Sequence, residues 1–160
     1  MSNKQNDIWN EAVEETRSRE IKFRAWDKNF KTMVQVNDAK FVDGLLIGAK
    51  GINWDSTVVV MQLTGLLLKN KEVYAGDIIS FPDTESEYVD VGVGDMKVAE
   101  TNVRGWGEVV FKNYSWGLEI NMSCESVEKG FTSFAELVGI FEEQDLEVIG
   151  NRFENPELLN

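Results

Sequence analysis

The chain has 160 residues, 42% of them hydrophobic and 28% charged, the composition of one globular domain with at most a small appendage. With no histidine and a single cysteine, Cys124, it lacks the means for Ser-His and Cys-His nucleophile pairs, most zinc sites and any intrachain disulfide. A formal charge of −12 argues against general binding to nucleic-acid backbone, whose affinity comes from clustered lysine and arginine.

Residues 1–19 predict an amphipathic helix: Ile8, Trp9, Ala12, Val13 and Thr16 recur at helical spacing, with Asn6 or Asp7 as N-cap. So short a helix is marginal in water and must dock on the domain or on a neighbouring subunit. This lead-in mixes charges and has no apolar stretch like a signal peptide. The greasiest runs, Val58-Val59-Val60-Met61 and Leu66-Leu67-Leu68, fall far short of the roughly 18 residues of a membrane helix.

From Glu20 the period becomes two. Ile21, Phe23 and Ala25 alternate with Lys22, Arg24 and Trp26 up to the turn Asp27-Lys28-Asn29, and Met33, Val34 and Val36 fit the returning strand. Asp43-Gly44 between Phe41-Val42 and Leu45-Leu46-Ile47 predicts a tight hairpin, so residues 20–56 read as a β-meander. A strand over residues 57–62 follows, its unbroken Val58 to Met61 suggesting burial on both faces. Turns are expected at Thr64-Gly65 and at Lys69-Asn70-Lys71. Next come a strand at Glu72-Val73-Tyr74, a corner at Ala75-Gly76-Asp77 and a strand from Ile78 to Phe81. Glycine suits a corner where φ turns positive, because a Cβ there costs about 1–2 kcal/mol, and aspartate bonds nearby amides.

Residues 82–103 are the least regular part, an acidic surface excursion carrying Asp83, Glu85, Glu87, Asp90 and Asp95. Alternate carboxylates invite a calcium reading, but the glycine and distal glutamate of a calcium loop are not at the required positions. A solvated loop or exposed edge is expected instead. Trp106 to Phe111 and Tyr114 to Ile120 read as strands joined at Lys112-Asn113. Ser133-Phe134-Ala135-Glu136 is a capping box, opening a helix with Phe134, Leu137, Val138 and Phe141 on one face, kept short by Gly139. Leu146 to Ile149 is the last strand, closed by Gly150-Asn151. After Asn155-Pro156 a terminal turn packs Leu158 and Leu159 back. Short, closely spaced strands with glycine corners and one helix favour a small β-barrel or roll over residues 57–160.

Four pieces together carry a resemblance: Glu20 to Asp27, Met61-Gln62 with Thr64-Gly65-Leu66, Tyr74 with Gly76-Asp77-Ile78, and Glu147 to Leu159. In order and spacing they look like the YopX family of small phage and prophage proteins, over roughly residues 20 to 160. The resemblance implies an all-β protein whose C-terminal part is a small Src-homology-3-like barrel beginning near Thr57. It also implies a bacterial host and no established molecular function, and the lone cysteine makes a reducing cytosol the natural home. The sequence departs from the family's pattern at Leu67-Leu68, where a polar turn is usual, and in the leading helix and the acidic excursion.

The signature residues Tyr74, Gly76, Asp77, Gly150, Asn151, Asn155 and Pro156 read most simply as structural: corners, their hydrogen-bonding partners and a core aromatic. Nothing brings Asp77 and Glu147 together as an acid-base pair, and Cys124 has no neighbouring cation in sequence to activate it. No catalytic set, metal site or cofactor is expected. The leading expectation is a non-enzymatic phage accessory protein that contacts another protein or itself, as a homo-oligomer. Trp106, Tyr114 and Trp116, grouped around one strand pair, together with Leu67, Leu68, Asp83, Glu85 and Glu87, are its candidate surface. The alternative is an acidic DNA mimic that blocks a host nucleic-acid-binding protein. Direct nucleic-acid binding would need Lys22, Arg24, Lys28 and Lys31, the only compact basic cluster, and is not expected. Neither is a membrane role.

Overall fold

The computed structural model describes residues 21–42, 45–50, 57–90, 92–122 and 125–159. The expected N-terminal helix, the Asp43-Gly44 pair and Cys124 lie outside the described residues.

Five strands build a first antiparallel sheet: β1 (Phe23–Asp27), β2 (Thr32–Val42), β3 (Leu45–Lys50), β4 (Val58–Leu68) and β5 (Lys71–Tyr74), in the spatial order β3-β2-β1-β4-β5. The turn after β1 is held by Asp27, whose Oδ1 accepts the amides of Asn29 (2.8 Å) and Phe30 (3.0 Å). The hairpin expected from the residues around Asp43 is seen in the pairing of Phe41 with Leu46 and Val42 with Leu45. The packed face of β1 carries Arg24 and Trp26. Trp26 lies opposite Val59 and Arg24 opposite Met61, and Trp26, Met61 and Tyr74 form a small core with Phe153 stacked on Trp26 at 5.9 Å.

Two expectations about β4 change. Val58, Val59 and Val60 are only half-buried and Met61 alone is enclosed, because this core packs on one face of the sheet. Thr64-Gly65 does not turn the chain; β4 runs through it with extra residues between the Leu63–Tyr74 and Leu67–Glu72 pairs. Gly65, at φ +85°, and the Thr64 hydroxyl, which donates to the Val73 carbonyl (2.8 Å) and accepts the Leu66 amide (3.1 Å), absorb the bulge. The reversal comes at Lys69-Asn70, both at positive φ, a two-residue turn suited to the twist of a hairpin.

The second antiparallel sheet contains β6 (Asp77–Asp90), β7 (Asp95–Lys112), β8 (Ser115–Ile120), β9 (Gly130–Ser133) and β10 (Glu147–Asn151), in the order β10-β6-β7-β8-β9. Helix α1 (Phe134–Ile140) follows β9. It opens on the expected capping box: the Ser133 hydroxyl accepts the Glu136 amide (3.3 Å) and the Glu136 carboxylate accepts the Ser133 amide (2.7 Å). Leu137 is sealed in the main core with Ile79, Phe81, Val109, Leu118 and Ile120, and Phe134 and Phe141 pack beside it. Val138 does not join this face. It is exposed, since two turns of helix present little more than one narrow stripe to the sheet. Leu68 and Val73 of the first sheet also enter the main core, coupling the two sheets.

The excursion over 82–103 is at the surface as expected, but it is regular. Instead of an irregular loop it is the outer part of one long hairpin, with β6 and β7 paired from Ile78–Glu108 out to Asp90–Asp95 and a single irregularity after Glu87. Beyond Thr84 and Val103 the described side chains of this arm are exposed, apart from the half-buried Ser86. Among the described residues, no helix is long and apolar enough to cross a membrane.

Candidate functional site

The corner between the sheets gathers most of the signature residues. Asp77 opens β6 and is 1% exposed. Its Oδ2 accepts the amide of Tyr74 (2.8 Å), and its Oδ1 pairs with the guanidinium of Arg24 from β1. The same guanidinium lies 4.6 Å over the Tyr74 ring. The Tyr74 hydroxyl donates to Glu72 (2.8 Å), whose other oxygen pairs with Lys22 (2.6 Å). Burial pushes the Asp77 carboxyl above its usual range, against the downward pull of the Tyr74 amide and Arg24. Burial, and then the bond to Glu72, push the Tyr74 phenol up to about 12. The Lys22 bond, followed by that from Tyr74, holds Glu72 below its ordinary value.

This alternation of charges neutralises itself. A carboxylate so enclosed can anchor Arg24 and the corner, but it presents nothing to a substrate. The corner backbone is also tied down: the Gly76 amide donates to Val109 (2.8 Å), and the Gly76 carbonyl accepts the Arg152 amide (2.9 Å). Gly76 has φ +80°, where a side chain would be strained and its Cβ would stand 3.3 Å from Arg152.

The second signature stretch completes the corner from the other side. Asn151 is opposite Asp77, and its Oδ1 accepts the amides of Phe153 and Glu154, both at 3.0 Å, which turns the chain after β10. Asn155 folds back under Gly150, where a Cβ would come within 2.4 Å of its Oδ1. Pro156 then starts a 3-10 turn (Pro156–Leu159), and the Trp106 indole donates to the Leu158 carbonyl. Glu147 is exposed and opposite Ser80, three positions along β6 from Asp77, so the two carboxylates do not converge. The basic cluster is divided as well: Lys22 is engaged by Glu72 and Arg24 by Asp77.

The three candidate aromatics do not share a surface. Trp116 is opposite Phe111, edge to face at 5.1 Å, on the core side of the sheet. Trp106 is opposite Ser80 on the other side, beneath the C-terminal turn. Tyr114, 99% exposed, sits at the tip of the β7–β8 turn. Trp116 also borders a cleft of about 600 Å³ with Ile21 and residues Gln62 to Leu66 of β4. Leu67 points outward while Leu68 is buried, as strand alternation requires.

The three acidic candidates separate too. Asp83 is 4% exposed, and its Oδ1 accepts the amides of Glu125 (3.1 Å) and Ser126 (2.9 Å). Burial alone would raise this carboxyl; the Ser126 amide and side chain, with the Thr84 and Glu125 amides, outweigh burial and hold it low. Glu125 in turn accepts the amide (2.8 Å) and hydroxyl (2.9 Å) of Ser86, strapping its loop along the free edge of β6. Glu85 and Glu87 alternate with these residues and remain exposed.

What sequence reasoning missed is the end of the arm. Tyr88, Val89, Val93, Met96 and Val98 are all exposed, Val93 to 95%. The available signal was Gly92 and Gly94, both at positive φ, between two runs that alternate β-formers with charge.

Comparison with known proteins finds similarity at the level of family and of structure. The family model described as YopX protein matches residues 22–160. The crystal structure of protein EF1440 from Enterococcus faecalis is 27% identical to this chain; the match covers 89% of this chain and 100% of that one, with a TM-score of 0.54.

Proposed function

The chain belongs to the YopX family, and we propose that it is a protein-interaction module without catalytic activity, acting on another protein or on a second copy of itself. One observation carries this reading: the β6–β7 arm leaves the packed body and, among its described residues, holds five large apolar side chains in solvent. A strand pair whose side chains are largely in solvent adds little to the core, and exposed apolar side chains grouped together mark contact surfaces. A phage or prophage origin is part of the proposal on the family resemblance alone, and the host cytoplasm on that resemblance with the single cysteine. So is a Src-homology-3-like barrel beginning near Thr57, supported by Leu68 and Val73 entering the core of the second sheet.

The test shortens the arm. Replacing residues 88–98 by Asn-Gly keeps Glu87 opposite Ala99 and supplies a two-residue hairpin turn. Association, read as oligomeric state by light scattering and as partner capture from host cells, should be lost while the fold is kept. An intact chain that stays monomeric and captures nothing would overturn the reading.

The DNA-mimic alternative has one supporting observation, the exposed carboxylates of the arm: Glu85 and Glu87 on one face, with Asp90 and Asp95 paired on the other at the tip. Neutralising these four and leaving the structural Asp83 intact should abolish binding to a nucleic-acid-binding host protein on that reading. Unchanged binding excludes it.

A further inference from the structure

On the interaction reading above, we infer that one face of the β6–β7 arm is a docking surface for a basic protein, not for a second copy of this chain. The register puts Glu85, Glu87 and Val89 of β6 on the same face as their partners Thr101, Ala99 and Met96 of β7. That face is apolar towards the tip, with Val89, Met96 and Ala99, and acidic towards the root, with Glu85 and Glu87. All are exposed. Asp90 and Asp95 face each other at the tip, and Val93 projects from the turn between them.

Charge selects the occupant. Between residues 84 and 102 the arm has five carboxylates, Glu85, Glu87, Asp90, Asp95 and Glu100, against one cation, Lys97, which Glu100 already engages at 2.7 Å. A second copy would bring a like-charged arm on a chain that itself carries −12, and juxtaposed like charges oppose docking. A nucleic-acid backbone is refused for the same reason. A protein surface with an apolar socket rimmed by lysine and arginine satisfies both halves of the face: Val89 and Met96 fill the socket, and Glu85 and Glu87 pair with the rim. Among the described residues, no further strand pairs with the arm beyond Ser86, and its edges there also allow backbone pairing with an extended segment of that partner.

The test uses the full chain with a photo-crosslinking residue at Val93 in one variant and at Leu67, on the opposite hairpin, in another, each expressed in the native cell. Mass spectrometry identifies the cross-linked protein and its attachment point. The expected result is a single partner attached from position 93 at a Lys/Arg-rich surface. With that partner purified, Val89→Ser with Met96→Ser weakens binding about tenfold. Glu85→Gln with Glu87→Gln weakens it severalfold and flattens its dependence on salt. Cross-links from position 93 to another copy of this chain, attachment at an acidic or neutral surface, or binding indifferent to both double variants would overturn the inference. Cross-links from position 67 alone would also overturn it while sparing the interaction reading. None from either position would end both.

Discussion

Arg24 reaches Asp77 across 53 residues of sequence and closes the contact between the first sheet and the first residue of the second. Removing one member of an enclosed ion pair leaves the other charge without its counter-ion, so Arg24→Met should destabilise the fold by about 3–5 kcal/mol in a denaturant titration. Replacing both, as Arg24→Met with Asp77→Leu, should recover much of that loss, since neither charge is then stranded. If the double variant is less stable than the single one, the pair acts through bonds beyond its own, such as that of Asp77 to the Tyr74 amide. Tyr74 gives a second test, in alkali. Its folded phenol titrates near 12, against an ordinary value of 10.0, so its stabilising effect is complete below pH 10 and disappears as pH rises towards 12. Stability should fall by about 2–3 kcal/mol over that window. Phenolate absorbance should show one titration near pH 12, and Tyr74→Phe should remove both.

At the level of the element, the loop carrying Glu125 and Ser126 is held by Asp83 and in return covers the root of the arm. Asp83→Ala should leave two amides without acceptors and cost about 1–3 kcal/mol. The Asp83 carboxyl titrates below its ordinary 3.8 in the folded chain, so its contribution is present above about pH 4 and lost as pH falls through the lower folded value. Acid unfolding followed by circular dichroism should therefore be shallower in Asp83→Asn than in the parent chain. Elements with a local cause were legible in the sequence: the capping box at Ser133 and Glu136, the strands flanking Lys112-Asn113, and the corner at Gly76-Asp77. The arm was not, because its carboxylates alternate with Thr84, Ser86 and Tyr88 and give no apolar face for a period of two to reveal. Gly65 misled for the opposite reason. A positive φ serves a bulge as well as a turn, and only the pairing of Leu67 with Glu72 distinguishes them.

For the whole molecule, the partnerships joining the two sheets were beyond reach of the sequence. Arg24 with Asp77 and Trp26 with Phe153 are each separated by more than fifty residues, and no local pattern encodes them. With the pairing of Asn151 opposite Asp77 and the bond from the Arg152 amide to the Gly76 carbonyl, they explain why the signature stretches occur together: they are walls of one corner. The arm stands apart from this framework, so exchanging residues 88–98 for Asn-Gly should shift unfolding stability by no more than about 1 kcal/mol, the range expected of segments with few buried contacts. A larger loss would mean that the arm is part of the body. The position of β10 also has a consequence in time. It fills the edge of β6 beside Ser80, but Glu147 is made 67 residues after Ser80. At about 5–20 residues per second, a nascent chain carries that edge uncovered for roughly 3–13 seconds. During synthesis, the strand that later holds the corner is thus the one most open to capture by a chaperone or by a neighbouring nascent chain.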